Sequence, residues 1–240
     1  TIPTTRRRRT GKSDVSHPPF GPETTEFHRE FAAETGLLLR RRLRWFIAIW
    51  GGLGLLASIP LWVSVADRVL GVDIVTDTFA RTIWGGDDPW FYVGATLVWI
   101  AGYGAALGAA LRPSVPRRRI LWVSLALITL DGLNGIALRA AGVDVPAGLI
   151  PFTLSFFVAS LVFPWSVRQA IIPPAIVLTV NALSRLTIEA SGDNGEPQYG
   201  LALFSILVSL FLPIPGCLIT WMRHSQRLGR HRLTFVQKRY

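Results

Sequence analysis

The chain has 240 residues, of which 50% are hydrophobic and 17% charged, with a formal net charge of +10 and a single cysteine. Its apolar residues fall in long runs rather than at helical or alternating spacing, which excludes a single soluble domain and marks membrane composition. One cysteine excludes a disulfide framework and a cysteine metal site. The basic excess sits beside the apolar runs, where topology and anionic lipid account for it and nucleic acid does not.

Residues 1–22, TIPTTRRRRTGKSDVSHPPFGP, combine a basic run with proline, serine and threonine and should form a disordered cytoplasmic tail. RTGKS is not a phosphate loop, because Arg6 stands where its first glycine belongs. Residues 1–36 contain no apolar core, so a cleavable signal peptide is not expected among them. Over residues 23–44, Phe27, Phe31 and Leu38 recur at helical spacing, with Glu26, Glu30 and Glu34 on a neighbouring stripe. This predicts an amphipathic juxtamembrane helix lying along the inner surface and turning into the first span through Arg40, Arg41, Arg42 and Arg44.

Residues 45–222 should form a six-helix transmembrane domain. Its apolar stretches are Trp45–Ala66, Trp90–Leu111, Ile120–Leu138, Ala147–Trp165, Gln169–Leu186 and Tyr199–Met222. Each approaches the ~20 residues needed to cross the hydrocarbon layer. Pro173 and Pro174 leave a five-helix or re-entrant reading open for the fifth. Tryptophans 45, 62, 90, 122, 165 and 221 fall near the boundaries and read as interfacial anchors. The loop Asp67–Pro89 carries Asp73, Asp77, Asp87 and Asp88 without calcium-loop spacing, so it reads as a solvated acidic loop and not a metal site. Loop 187–198 is turn chemistry.

The second span contains AGYGAALGAA, residues 101–110, whose Gly104 and Gly108 form a GxxxG face suited to close packing within the chain or to a homodimer. The third contains LALITLDGLNGIALR, residues 125–139, where Asp131 interrupts an apolar helix. A carboxylic acid in the bilayer costs about 3 kcal/mol and needs a partner in the bundle interior. Asp131 stands ~16 Å from the inner end of its span. The fifth span runs in the same direction and carries Asn181, Ser184 and Arg185. Asp131, Asn134, Asn181 and Arg185 are therefore the candidate ligand-binding residues of an outward-opening polar pocket. The competing reading is a buried hydrogen-bond clamp, with Arg139 and Arg185 reaching outward to the interface; a transport path is the third. Pro213 and Pro215 should kink the sixth span.

Residues 223–240 should form a basic cytoplasmic helix or linker, with Trp221, Leu228 and Phe235 at intervals of seven. The absence of a stop signal predicts a continuation into a further domain. Charge supports the topology. With the N-terminus inside, inner segments hold 21 of 25 basic and 5 of 15 acidic residues, against 4 and 9 in the outer loops. Both termini are thus expected to be cytoplasmic, in a plasma (bacterial inner) membrane. Histidines 17, 28, 224 and 231 lie outside the spans and cannot ligate haem there. Nucleophile elbow, HExxH, cofactor-turn and kinase signatures are absent, so neither a catalytic site nor a cofactor is expected in these residues.

At EFHREFAAETGLLLRRRLRWF, residues 26–46, and LGRHRLTFVQKRY, residues 228–240, the chain resembles the membrane domains of bacterial signalling enzymes. The nearest likeness is to metal-dependent serine/threonine phosphatases of the sporulation-regulator type, with membrane-bound class III nucleotide cyclases second. The resemblance implies an all-α polytopic anchor or sensor that tethers and regulates a covalently linked cytoplasmic effector. No catalytic residue of either family has a counterpart here. The alternative is a small transporter or freestanding membrane protein, for which inverted repeats and paired broken helices would be expected.

Overall fold

A computed structural model describes residues 25–70, 89–140, 149–190 and 199–239, and every regular element among them is helical. The N-terminal tail, most of the acidic loop and most of loop 187–198 lie outside the described residues. Helix α1, Thr25–Phe46, passes through a π-helical turn, Ile47–Gly51, into α2, Gly52–Leu70. Then come α3, Pro89–Leu111; α4, Arg117–Ala140; α5, Ile150–Val162; and the single turn α6, Val167–Ala170. Helices α7, Ile172–Ala190, α8, Tyr199–Phe211, and α9, Ile214–Arg239, complete the chain.

Five helices each contain an 18-residue window long and apolar enough to cross a membrane, within Phe27–Ile59, Val93–Leu111, Arg117–Leu138, Val167–Thr187 and Ile206–Gln237. The fourth apolar stretch behaves differently. Only 13 of its described residues are helical, a length of ~20 Å against the ~30 Å hydrocarbon layer. The cause is Pro164, which disfavours helix at the residue before it, and Phe163 is extended at φ −81° and ψ 142°. The chain then restarts at Ser166, whose backbone N–H donates to Gln169 Oε1 at 2.9 Å in a capping-box arrangement. Pro173 and Pro174 fall in the first turn of α7, where a missing N–H costs nothing. The fifth apolar helix therefore starts at Val167 and reaches Thr187.

The first span also departs from the sequence expectation. Instead of turning at the arginines, α1 runs into α2 with helical dihedrals on both sides of the π turn, at Phe46 and Gly52. Arginine side chains explain why α1 docks on the bundle. Arg40 donates to the carbonyls of Arg112, at 2.8 Å, and Val115, while Arg44 Nε donates to Ala110 O at 3.0 Å. Arg42 donates to Val162 O at 2.8 Å and Arg223 to Ser160 O at 3.3 Å. These carbonyls belong to the C-terminal ends of α3 and α5 and the turn after α3, where the helix leaves oxygens unpaired and the dipole is negative.

Helix α4 is the hub and packs against α3, α5 and α7. Close approach is built into glycines. A Cβ on Gly132 would lie 2.4 Å from Val177 and 2.9 Å from Phe152, and one on Gly216 would lie 2.5 Å from Phe156. The interior holds Phe152, Phe156, Ile128 and Trp165 together with Ser124, Ser155, Ser160 and Thr220. Leu56, Trp90, Val98, Phe204, Phe211 and Leu218 are exposed. Large apolar residues outside and hydroxyls inside suit a lipid solvent. Trp45, Trp90, Trp122 and Trp221 are likewise exposed, whereas Trp165 is 1% exposed and donates its indole N–H to Ser124 Oγ at 3.1 Å. It is a core residue and not an interfacial anchor.

Candidate functional site

Asp131 sits in the middle of α4 and is 6% exposed. An acceptor so placed must find donors on neighbouring helices, and α3 supplies them. Trp99 and Tyr103 are four residues apart, hence on one helical face, with ring centroids 4.1 Å apart. Trp99 Nε1 donates to Asp131 Oδ1 at 2.9 Å, and the Tyr103 hydroxyl reaches Oδ1 and Oδ2 at 3.1 and 3.0 Å. The Ser155 hydroxyl and the Trp50 indole face the same carboxylate, although Ser155 also bonds Phe152 O at 3.0 Å. Both oxygens are therefore engaged by side chains from α3, with α5 and the π turn closing around them.

The aromatic rings fit because their neighbours have no side chain. A Cβ on Gly54 would lie 2.3 Å from Trp99, one on Gly51 would lie 3.0 Å from Tyr103, and one on Gly102 would lie 2.3 Å from Leu130. Removing the Cβ at these three positions lets α2, α3 and α4 close around the carboxylate. Beside the cage lies an apolar cavity of about 330 Å³, lined by Ile47, Leu55, Trp99, Tyr103, Gly104 and Leu107 among others. Its wall includes the π turn, a helical irregularity that often accompanies functional sites.

The sequence placed Asp131 with Asn134, Asn181 and Arg185. No hydrogen bond or ion pair on Asp131 comes from any of these three. Asn181 is buried on α7, one turn beyond the Val177 that meets Gly132, while Asn134 and Arg185 are half-buried. Trp99, Tyr103, Trp50 and Ser155 were missed. A tyrosine and a tryptophan four residues apart in mid-span were the available signal, since each carries a polar atom that needs a partner in lipid. Gly104 and Gly108 have no atom within 4 Å of an added Cβ, so this face is open among the described residues. No group of three or more His, Cys, Asp or Glu is placed to hold a metal among them.

Fold and site together define a helical membrane protein whose central helix carries a carboxylate caged by aromatic hydrogen-bond donors. No known protein family, curated protein or solved structure matches the chain.

Proposed function

We propose that the chain is a plasma-membrane anchor and sensor module, crossing six times with both ends cytoplasmic, that tethers and regulates a cytoplasmic signalling enzyme joined to α9. A phosphatase of the sporulation-regulator type is the first effector class suggested by the resemblance at residues 26–46 and 228–240. The observation that carries the reading is the continuity of α9. It packs through Gly216 on Phe156 in the bundle and extends unbroken to Arg239, where it meets α1. There Phe27 contacts Phe235 at 5.4 Å and His231 at 4.9 Å, Phe31 contacts His231 at 5.2 Å, and Arg227 donates to Thr35 Oγ1 at 3.2 Å.

In this reading the paired ends of α1 and α9 form a stalk beyond the apolar layer, and a change in bundle packing would alter the stalk. A stimulus shifts such a system only by binding its two packings unequally. The six-pass count is supported by α5 and residues 163–166, which run beside α4 from Gly132, near Phe152, to Ser124, bonded to Trp165.

The test joins topology to output. A fluorescent protein fused after Arg239 should fluoresce in the cytoplasm, and a phosphatase reporter inserted at 71–88 should be active outside. The gene should continue past Tyr240 into a catalytic domain whose activity changes on Phe235→Ala. A reading frame ending there, with solute uptake by proteoliposomes, would replace this reading with a small transporter.

A further inference from the structure

On the arginine-rich side of Trp45 and Trp221, α1 and α9 enclose a second cavity of about 380 Å³, at the small end of the ~300–1,000 Å³ common for ligand sites. Its chemistry is opposite to that of the first. Arg42, Arg223, Arg227 and Arg230 line it, and Glu34 is the one carboxylate among the described lining residues. Glu34 Oε2 is already 3.2 Å from His231 Nδ1. Four guanidinium groups thus share one committed counter-charge.

The arginines are held by contacts that leave most of their donors unused among the described residues. Arg42 donates to Val162 O, Arg223 to Ser160 O, and Arg227 to Thr35 Oγ1 with its guanidinium 5.8 Å from the Phe31 ring centroid. A guanidinium has five N–H donors in a planar fork matched to phosphate oxygens. His231 has a side chain 13% exposed, and its Nε2 is buried with no hydrogen-bond partner among the described residues. Burial, and next the charge of Arg42, depress the pKa of both Arg223 and Arg227. Concentrated like charge of this kind is stabilised by an anion.

The cavity also lies next to exposed tryptophans. Exposed Trp221 and Met222 immediately precede Arg223, and exposed Trp45 follows Arg42 by three residues. Tryptophan marks the headgroup level, and basic pockets there take phosphorylated headgroups.

We propose that this cavity is a binding site for a phosphate-bearing anion, gripped by Arg42, Arg223, Arg227 and Arg230 between α1 and α9. The site follows from the geometry of these two helices and does not rest on the sensor reading. An anion there would tie the N-terminal helix to the C-terminal one through charge-assisted bonds.

The experiment uses the full chain in phosphatidylcholine nanodiscs. Two probes are added separately: inorganic pyrophosphate in solution, and phosphatidylglycerol doped into the disc. Binding is read as a saturable rise in Tm and, for lipid, as retained phosphatidylglycerol by native mass spectrometry. Wild type should bind at least one probe saturably. R223Q/R230Q should bind it about tenfold more weakly or worse, the least expected on losing a charge-assisted bond. The exposed Arg118→Gln on α4 should leave binding unchanged. Saturation by phosphatidylglycerol alone identifies a lipid headgroup, and saturation by pyrophosphate alone a free phosphorylated solute; both sustain the site. Should the double variant fail to fold, Arg230→Gln alone decides, because the Arg230 side chain is exposed and makes no hydrogen bond among the described residues. Absence of saturable binding by either probe, or wild-type affinity in the variants, overturns the proposal.

Discussion

Replacing Tyr103 by Phe removes one hydroxyl from the Asp131 cage and leaves its ring in place against Gly51 and Trp99. The hydroxyl shares its proton between Oδ2 at 3.0 Å and Oδ1 at 3.1 Å, while the Trp99 bond at 2.9 Å remains. Hydrogen bonds to charged groups in soluble proteins contribute about 1.5–3 kcal/mol. Interhelical bonds in bilayers average about 0.6 and reach about 1.7 kcal/mol, because helices separated in lipid find other partners. A carboxylate only 6% exposed belongs at the upper end of the bilayer range, so Tyr103→Phe should cost about 1–2 kcal/mol. The assay is reversible unfolding in mixed micelles, run as a double-mutant cycle with Asp131→Asn. Asparagine keeps the shape, weakens the acceptor and presents an NH2 group to the donors. The cycle should return a coupling of about 1 kcal/mol, above the ~0.3–0.5 kcal/mol scatter of independent sites. A Tyr103→Phe protein as stable as wild type, with no coupling to Asp131, would refute the cage as a stabilising unit.

Glycine spacing gives a paired test. Gly132→Ala should lose about 1–3 kcal/mol through overpacking against Val177 and Phe152, whereas Gly108→Ala, with nothing within 4 Å of the new atom, should stay within about 0.5 kcal/mol in the same unfolding assay. Arg40→Gln should lower Tm and speed amide exchange in the turn after α3, where the Arg112 and Val115 carbonyls lose their donor. His224, beyond the last apolar stretch, is held below its ordinary pKa by burial and next by the charge of Arg227. The unfolded chain therefore takes up that proton first, and stability should fall as pH drops through about 6.5. His224→Gln should flatten the slope of unfolding free energy between about pH 8 and pH 5, and an unchanged slope would show that this imidazole is not its source.

The membrane helices were legible because lipid demands long apolar runs, and five such runs emerge at full length. The fourth was legible as apolar but not as short, since run length ignores the way Pro164 forces Phe163 out of the helix. Asp131 stood out because a carboxylic acid contradicts its surroundings. Its partners did not, because Trp99 and Tyr103 count as apolar in a hydropathy reading and their meeting with Asp131 depends on the offset between two helices. That offset is set by Gly102 and by the turn at 112–116, which spacing within one helix cannot report. Arg40, Arg42 and Arg44 were read only as topology signals. Their second role depends on carbonyls at helix ends distant in the chain, and backbone oxygens carry no signature in a sequence. The seven-residue repeat was visible, and its Phe235 is buried against Phe27 of the same chain.

The arginine bonds that hold α1 have a consequence for biosynthesis. Arg44, Arg40 and Arg42 join oxygens 66 to 120 residues later in the chain. The ribosome delivers these guanidinium groups long before the acceptors exist, so the earliest helix must linger in a provisional arrangement. Its final seat is closed only after Val162 has emerged, and a nascent chain truncated before that residue should leave its leading helix open to protease.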